Sequence, residues 1–286
     1  MDKHGTLEQA KLEIEILKTL QCLDPDTCNI VKWHGSFNYK QRICLIFEHL
    51  DQDLYDYTKD RVEQGLAMTE IRPILNQLTR ALSKLKSMKI IHADLKPENI
   101  MVVDRRKKSP KVKLIDFGLA CRVASVTPGK CLQTTWYRAP EVILGVPFNE
   151  AIDMWSLGLV AAEMATGFPL YPGALEYDVG QPRWIFKSTE QFMDDTAYEP
   201  TETRYLRLQN LDDLEQKMNI NGRNPSETHL LMELIKKMMQ LDAKDRIKPQ
   251  DALRDPYFVH PLPKSLKKEK EKKNNDMVNR GLANDS

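Results

Sequence analysis

The chain has 286 residues, of which 41% are hydrophobic, and its formal net charge is +1. This length allows one large domain or two smaller ones, and the near-neutral charge argues against a dedicated nucleic-acid-binding surface. No apolar run approaches the length of a membrane span, so we expect neither nucleic acid nor a membrane among its partners. The five cysteines form no Cys-x-x-Cys pair, a pattern typical of reduced thiols in the cytosol or nucleus.

The first predicted elements are one helix and two strands. Residues 7–20 are predicted to form an amphipathic helix, because apolar residues recur at helical spacing. Those apolar positions are Leu12, Ile16, Leu17 and Leu20. Two strand-like runs follow at residues 30–37 and 42–47, and residues 38–41 between them suit a hairpin turn.

From residue 51 onward the pattern is mostly helical. Residues 71–88 and 230–241 are amphipathic at helical spacing, and residues 154–166 are apolar nearly all round, as in a buried helix. Residues 264–286 have too few apolar side chains to offset chain entropy, so we expect a disordered tail. A nuclear-import or phosphate-binding patch is one interpretation of its lysines. A solvated tail is the favoured one, because glutamates dilute the charge.

Three short motifs carry the chemistry. Residues 91–99 read Ile-His-Ala-Asp-Leu-Lys-Pro-Glu-Asn, residues 116–118 read Asp-Phe-Gly, and residues 139–141 read Ala-Pro-Glu. In order and spacing they resemble the catalytic loop, the metal-binding turn and the activation-segment end of a eukaryotic protein kinase. A lone acidic loop residue is more often a turn former or a helix cap, but three motifs together argue against that interpretation.

The resemblance implies a role for each polar residue of these motifs. Phosphoryl transfer needs positioning, charge neutralisation through magnesium and a carboxylate near the acceptor hydroxyl. Asp94 would accept the proton of the substrate hydroxyl, and Lys96 would reach the transferred phosphate. Asn99 and Asp116 would bind Mg²⁺, and Thr134 would contact both Asp94 and Lys96.

The resemblance also implies contacts to the adenosine end of ATP. Phe47 would be the gatekeeper beside the adenine pocket, and the backbone of Glu48 and Leu50 would hydrogen-bond adenine. Asp53 would reach the ribose, and Met101 would form the apolar floor of the pocket. An ordinary core aromatic is the other interpretation of Phe47, and the two roles are compatible.

Two structural supports are implied as well. Asp153 would anchor the catalytic loop from a buried helix, and Glu141 would pair with Arg246. Removing one partner of a buried ion pair is costly, because the other charge is left uncompensated. The role of the Glu141–Arg246 pair would therefore be structural.

Longer stretches narrow the resemblance. Residues 136–141 are similar to the group that contains the cyclin-dependent, mitogen-activated and dual-specificity tyrosine-regulated kinases. Residues 71–75, 92–101, 150–158 and 169–174 are similar to the homeodomain-interacting protein kinases within that group. The resemblance implies a nuclear Ser/Thr kinase, with dual specificity as an option, that acts on transcription regulators.

The same resemblance implies an α+β, protein kinase-like fold with a small β-rich N-lobe and a mostly helical C-lobe. We expect residues 1–50 to form an incomplete remnant of the N-lobe together with the hinge. Residues 51–262 are expected to form the C-lobe, and residues 263–286 the disordered charged tail.

The chain departs from the family ahead of the first motif. No glycine-rich loop and no strand lysine precede the first predicted helix. Glu13 resembles the helix glutamate that pairs with that lysine to hold the ATP phosphates, and Lys3 and Lys11 are wrongly placed to replace it. Three hypotheses stay open: a Ser/Thr protein kinase, a kinase-like binding module that does not transfer phosphate, and a partial gene product.

Two other departures concern docking and regulation. After Tyr177–Asp178 the chain skips most of a family segment, which puts the docking surfaces near it in question. No tyrosine lies between Leu119 and Trp136, Cys131 takes its place, and Ala93 replaces the arginine that would hold a phosphate. We therefore expect an activation segment whose shape does not depend on tyrosine phosphorylation.

Overall fold

The computed structural model describes residues 3–260 except residues 41, 60–64, 108, 128, 130–131, 173–192, 195–205, 207, 209 and 220–222. The side chain of Lys3, Cys131, the segment after Tyr177–Asp178 and the charged tail therefore lie outside the described residues. The described part is α+β, with a helix and a hairpin first, short strands in the middle and helices after them. None of its helices is both long and apolar enough to cross a membrane.

The first part consists of one long helix, one short helix and a hairpin. These elements are α1 Lys3–Leu20, α2 Pro25–Cys28, β1 Trp33–Tyr39 and β2 Arg42–Phe47. The two strands pair antiparallel, with Trp33 opposite Phe47. Ile16, Leu17 and Leu20 are buried, so the second half of α1 turns its apolar face inward. The predicted helix and both predicted strands are thus present.

Two details of the prediction for this part are wrong. Leu12 is predicted on the buried face of α1 but is 57% exposed. The spacing of apolar residues shows which face of a helix turns toward the core, but not how much of that face other elements cover. The first strand begins at Trp33 rather than at Ile30. Ile30 instead forms a parallel bridge with Leu114, and the Val31 N–H donates to the Leu114 carbonyl.

Short strands form two small sheets in the middle of the chain. These strands are β3 Gln52–Asp53, β4 Ile90–Ile91, β5 Ile100–Val102, β6 Val112–Leu114 and β7 Cys121–Arg122. One sheet has the antiparallel order β3–β5–β6, and the other pairs β4 with β7. Asp53 lies opposite Met101, and Met101 opposite Lys113. Because cross-strand partners share a face, these three side chains lie on one face of the sheet.

Helices make up most of the remaining fold. They are α3 Leu54–Lys59, α4 Met68–Ser87, α5 Pro140–Ile143, α6 Ala151–Thr166, α7 Asp212–Asn219, α8 Pro225–Met238, α9 Pro249–Ala252 and α10 Pro256–Val259. As predicted for a segment that is apolar all round, α6 is buried from Ile152 onward, and it packs against α4 and α8. The last predicted long helix begins earlier than expected, because Asn224 caps it and Pro225 takes its first position.

Candidate active site

The loop that carries Asp94 is held by helix α6. The buried carboxylate of Asp153 accepts hydrogen bonds from the main-chain N–H groups of His92 at 2.8 Å and Ala93 at 2.9 Å. Full burial raises the pKa of the Asp153 carboxyl, while those two bonds act in the opposite direction. Ala93 has a φ of 63°, a region that residues other than glycine seldom occupy. This is the arrangement that the resemblance implies for Asp153.

Asp94 lies at the centre of a hydrogen-bonded group. Its Oδ1 accepts bonds from the Thr134 hydroxyl at 2.7 Å and from the Thr134 N–H at 3.1 Å. Its Oδ2 accepts a bond from the Asn99 amide at 2.9 Å and lies 3.0 Å from the Lys96 ammonium. Lys96 also donates to the Thr134 hydroxyl at 3.0 Å. The structure therefore brings together all four residues that the sequence suggests for the catalytic step.

The same contacts keep the Asp94 carboxylate charged. Burial is the largest influence on its pKa and raises it, but the hydrogen bonds from Thr134 and Lys96 and the Lys96 charge act against burial. The net result is a pKa below the usual value of an aspartate. An ionised carboxylate in a fixed orientation can accept a hydrogen bond from an incoming hydroxyl group.

The Asp-Phe-Gly turn follows β6 after Ile115 and is tied to the loop that carries Asp94. Asp116 has a φ of 60°, and its Oδ1 accepts a bond from the Gly118 N–H at 3.1 Å. Phe117 is fully buried and meets the His92 ring edge-on, with the ring centroids 5.1 Å apart. The His92 Nε2 lies 2.9 Å from the carbonyl oxygen of Ile115. His92 therefore joins the turn to the loop.

Glu13 of α1 faces this turn. Burial raises the pKa of the Glu13 carboxyl, and the negative charge of Asp116 raises it further. No lysine or arginine among the described residues forms an ion pair with Glu13, and Lys11 pairs instead with an exposed glutamate on its own helix. The structure thus places Glu13 beside the metal-ligand candidate rather than beside a cation.

The segment after β2 contains the residues predicted to contact adenine. Phe47 ends β2 and packs against the core, and Leu50 is buried. The Glu48 N–H donates to the Lys32 carbonyl at 3.0 Å. Of the two backbone groups of Glu48, the carbonyl is therefore the one left for adenine.

The candidates for the ribose contact and the pocket floor lie on the three-stranded sheet. Asp53 and Met101 are opposite each other in register, so their side chains share a face. The Asp53 Oδ1 accepts a bond from the Asp56 N–H at 2.7 Å at the start of α3. Asp53 therefore has a structural role besides its predicted contact. Met101 is half-buried against the core.

The Ala-Pro-Glu motif is fixed by a buried ion pair. Arg246 donates to the two carboxylate oxygens of Glu141 at 2.6 and 3.0 Å and to the Ala151 carbonyl at 2.9 Å. Its guanidinium carbon also lies 5.4 Å from the centre of the Trp155 ring. The pair implied by the resemblance is present, and it attaches α5 to α6.

Sequence reasoning missed two buried pairs. Lys113 is 2% exposed and donates to both carboxylate oxygens of Glu48, at 2.6 and 2.8 Å. The Tyr137 hydroxyl donates to Glu163 at 2.6 Å, and both side chains are buried. The available signals were one lysine between apolar strand residues, and one glutamate within the apolar second half of α6.

Known proteins resemble the chain over most of its length. A family model described as a protein kinase domain matches residues 1–258. The chain is 38% identical over 290 residues to homeodomain-interacting protein kinase 1 of Mus musculus, covering 88% of the chain and 24% of that protein. It is 49% identical over 189 residues to homeodomain-interacting protein kinase 1 of Caenorhabditis elegans, covering 66% of the chain and 22% of that protein.

Homeodomain-interacting protein kinase 4 of Mus musculus is 35% identical over 294 residues, covering 86% of the chain and 48% of that protein. The chain therefore spans between about a fifth and about half of the length of these relatives.

Proposed function

Since the chain belongs to the protein kinase family, we propose that it transfers the γ-phosphate of ATP to serine or threonine side chains of proteins. The observation that carries this proposal is the Asp94 carboxylate, which Lys96, Asn99 and Thr134 hold at 2.7–3.1 Å. Phosphoryl transfer needs a positioned carboxylate beside the acceptor hydroxyl and a positive charge near the transferred group.

In the proposed reaction the substrate hydroxyl oxygen bonds to the γ-phosphorus while the bond between that phosphorus and the β,γ-bridging oxygen breaks. Asp94 receives the hydroxyl proton, and ADP leaves. Lys96, which lies 3.0 Å from Asp94 and 3.0 Å from Thr134, offers a positive charge to the transferred phosphoryl group. Thr134 holds the carboxylate in its orientation throughout.

Asn99 and Asp116 fit a divalent cation through the chemistry of their donor atoms, since Mg²⁺ prefers carboxylate and other oxygen ligands. The Asn99 amide nitrogen donates to the carbonyl and to the carboxylate of Asp94, at 2.8 and 2.9 Å, which leaves its amide oxygen for a cation. When bound with ATP, Mg²⁺ would neutralise charge on the phosphates.

The proposed kinase function also includes contacts with the adenine and the ribose of ATP. The Glu48 carbonyl and the Leu50 backbone would bind adenine, Asp53 the ribose, and Met101 would lie beneath the base. We assign residues 1–50 to the N-lobe and hinge, and residues 51–262 to the C-lobe.

Relatives of the chain are named for interaction with homeodomains. We extend that property to this chain and propose homeodomain transcription regulators as its protein substrates. Because such regulators act on DNA, we further propose that the chain works in the nucleus. Dual specificity toward tyrosine is part of the same proposal, to be tested by phosphoamino acid analysis of the product.

A second candidate function is a kinase-like binding module that engages partners without transferring phosphate. The observation that favours it is Glu13, which faces Asp116 and forms no ion pair with a described lysine or arginine. Loss of one positioned transition-state contact costs on the order of 2.7–4 kcal/mol in an oxyanion hole, so a site in which no described cation pairs with Glu13 favours binding over transfer.

Thermal unfolding of the full chain with and without MgATP tests these proposals. At one hundred times its dissociation constant, a ligand stabilises the native state by about 2.7 kcal/mol. We expect a higher Tm with MgATP, lost in Asp116→Asn and kept in the control Asp251→Asn, which changes an exposed carboxylate of α9.

Transfer of labelled phosphate to a purified homeodomain protein separates the two candidates. A Tm rise with transfer supports the kinase, and a Tm rise without transfer supports the binding module. A chain that unfolds cooperatively at the same Tm in both conditions contradicts the proposed kinase function.

A further inference from the structure

Lys113 is a buried cation at the centre of β6. Its side chain is 2% exposed and lies between the fully buried neighbours Val112 and Leu114. Burial of an ammonium group is costly unless it is paired. Its Nζ donates to the two carboxylate oxygens of Glu48 at 2.6 and 2.8 Å and lies 3.1 Å from Asp26. Three segments distant in sequence therefore meet at one ammonium group.

Glu48 is held from both its side chain and its backbone. Besides the contacts with Lys113, its Oε1 accepts a bond from the Lys32 N–H at 2.6 Å. In return, its own N–H donates to the Lys32 carbonyl at 3.0 Å. The Glu48 carboxylate thus helps to hold the main chain of Glu48 against Lys32. The main-chain carbonyl of Glu48 takes no part in these hydrogen bonds.

The position of Lys113 connects two parts of the candidate site. Lys113 lies opposite Met101 in the sheet, on the face shared with Asp53. Asp116 follows Lys113 by three positions, and Ile115 between them is bonded to the Asn99 carbonyl at 2.9 Å. The Lys113–Glu48 pair therefore joins the segment after β2 to the strand that leads into the Asp-Phe-Gly turn.

We propose that Lys113 is a positioning residue for nucleotide binding, which acts through Glu48 by fixing the direction of the Glu48 carbonyl toward adenine. This inference rests on the proposed kinase function. Lys113 itself does not touch the nucleotide in this arrangement. A contact to adenine is made equally in the ground state and the transition state, so its loss raises KM for ATP and leaves kcat unchanged.

Lys111, which lies near Lys113 and shares its partner Asp26, offers a matched control. Lys111 also pairs with Asp26, at 2.7 Å, but its side chain is 40% exposed. Lys111→Met therefore removes a lysine beside Asp26 without removing the contact to Glu48. Exposed pairs of this kind contribute little to stability.

The experiment measures MgATP affinity by calorimetry and KM and kcat by phosphotransfer, in Lys113→Met, Lys113→Arg and Lys111→Met of the full chain. We expect Lys113→Met to weaken MgATP binding about tenfold, which corresponds to about 1.4 kcal/mol. Lys113→Arg should restore most of the affinity, because guanidinium binds a carboxylate with two parallel bonds. Lys111→Met should bind MgATP as the wild type does.

Two outcomes overturn the inference. In the first, Lys113→Met loses thermal stability but keeps its MgATP affinity, which would show a structural ion pair only. In the second, Lys113→Met lowers kcat and leaves KM unchanged. If Lys113→Met does not fold, Glu48→Gln replaces it, since the amide keeps the side-chain shape and loses the charge. Unchanged affinity in Glu48→Gln would equally overturn the inference.

Failure of the proposed kinase function gives a different result. A wild-type chain that binds no MgATP contradicts both proposals at once. A wild-type chain that binds MgATP with the same affinity as Lys113→Met contradicts the role of Lys113 alone.

Discussion

The Asp153 carboxylate accepts a 2.9 Å hydrogen bond from the main-chain N–H of Ala93, a residue with a φ of 63°. A non-glycine residue in this region costs on the order of 1–3 kcal/mol and persists only where its surroundings fix it. Asp153 provides that constraint from the first turn of α6, and Asp94 follows Ala93 directly along the loop. The buried helix therefore determines where the candidate catalytic carboxylate points.

Asp153→Asn should loosen this loop. An amide has one acceptor oxygen for two N–H donors, so one buried donor is left without a partner, at about 1–3 kcal/mol. We expect a lower urea midpoint with an unchanged slope, and a lower kcat. The control Asp251→Asn, at an exposed site, should match the wild type in both measurements. Equal urea midpoints for Asp153→Asn and wild type would contradict the anchoring role.

Asp94→Asn should remove the proposed proton acceptor while it preserves the shape of the side chain. Acid–base groups of this kind contribute typically about 10²–10⁴-fold to a rate. We expect phosphotransfer to fall by that factor while the Tm rise with MgATP persists. Labelled phosphate that appears on the substrate at the wild-type rate would show that Asp94 is not the acceptor.

Thr134→Ala should remove the hydroxyl that bridges Asp94 and Lys96, while their direct 3.0 Å contact remains. The Thr134 hydroxyl donates to Asp94 at 2.7 Å and accepts from Lys96 at 3.0 Å, so alanine removes both bonds. We expect kcat to fall about tenfold with little change in KM for ATP, since the lost contacts orient reacting groups rather than bind adenine. Thr134→Ser keeps the hydroxyl and should recover most of kcat. A serine variant as slow as the alanine variant would point to packing instead.

Arg246→Met should destabilise the fold strongly. It leaves the buried carboxylate of Glu141 without its cation, and breaking a buried pair from one side costs about 3–5 kcal/mol. Urea denaturation measures this loss, and Glu141→Met combined with Arg246→Met should regain part of it. Lys18→Met, which removes the exposed ion pair with Glu15 on α1, should change the unfolding free energy by less than about 1 kcal/mol. A loss for Arg246→Met as small as that of the exposed-pair control would contradict the structural role of the buried pair.

The loop that carries the candidate catalytic residues could be predicted because these residues lie close together in sequence. Asp94, Lys96 and Asn99 occur within six positions, so their spacing already limits how far apart their side chains can be. The contacts of Asp94 and Lys96 with Thr134, 40 and 38 positions away, were expected from the resemblance alone and are present in the structure. The long helices were also predictable, because apolar residues recur in them at helical spacing.

Contacts between distant segments could not be predicted from periodicity. Lys113 and Glu48 are 65 positions apart, and nothing in either local pattern shows that the two charges meet. Glu13 faces Asp116 because α1 packs beside the Asp-Phe-Gly turn. The helical spacing of residues 7–20 does not predict this tertiary contact. Leu12 is exposed for the same reason, since packing decides how much of an apolar face is covered.

Glu163 should make stability depend on pH near neutrality. Burial raises the pKa of its carboxyl to about 7, and the negative charge of Glu98 adds to that rise. The folded state therefore binds the proton more tightly than the unfolded state, whose value is 4.5. The stability from this group is complete below the unfolded pKa and is lost as pH rises through about 7.

Glu163→Gln removes this titration and keeps an oxygen that can accept the 2.6 Å bond from the Tyr137 hydroxyl. Relative to the glutamine variant, we expect the wild type to lose about 2–3 kcal/mol of unfolding free energy between pH 5 and pH 8. Urea denaturation across that range measures the difference. Glu98→Gln takes away a like charge, so the wild-type loss should move to lower pH in that variant. Parallel pH profiles for wild type and Glu163→Gln would mean that Glu163 does not titrate in this window.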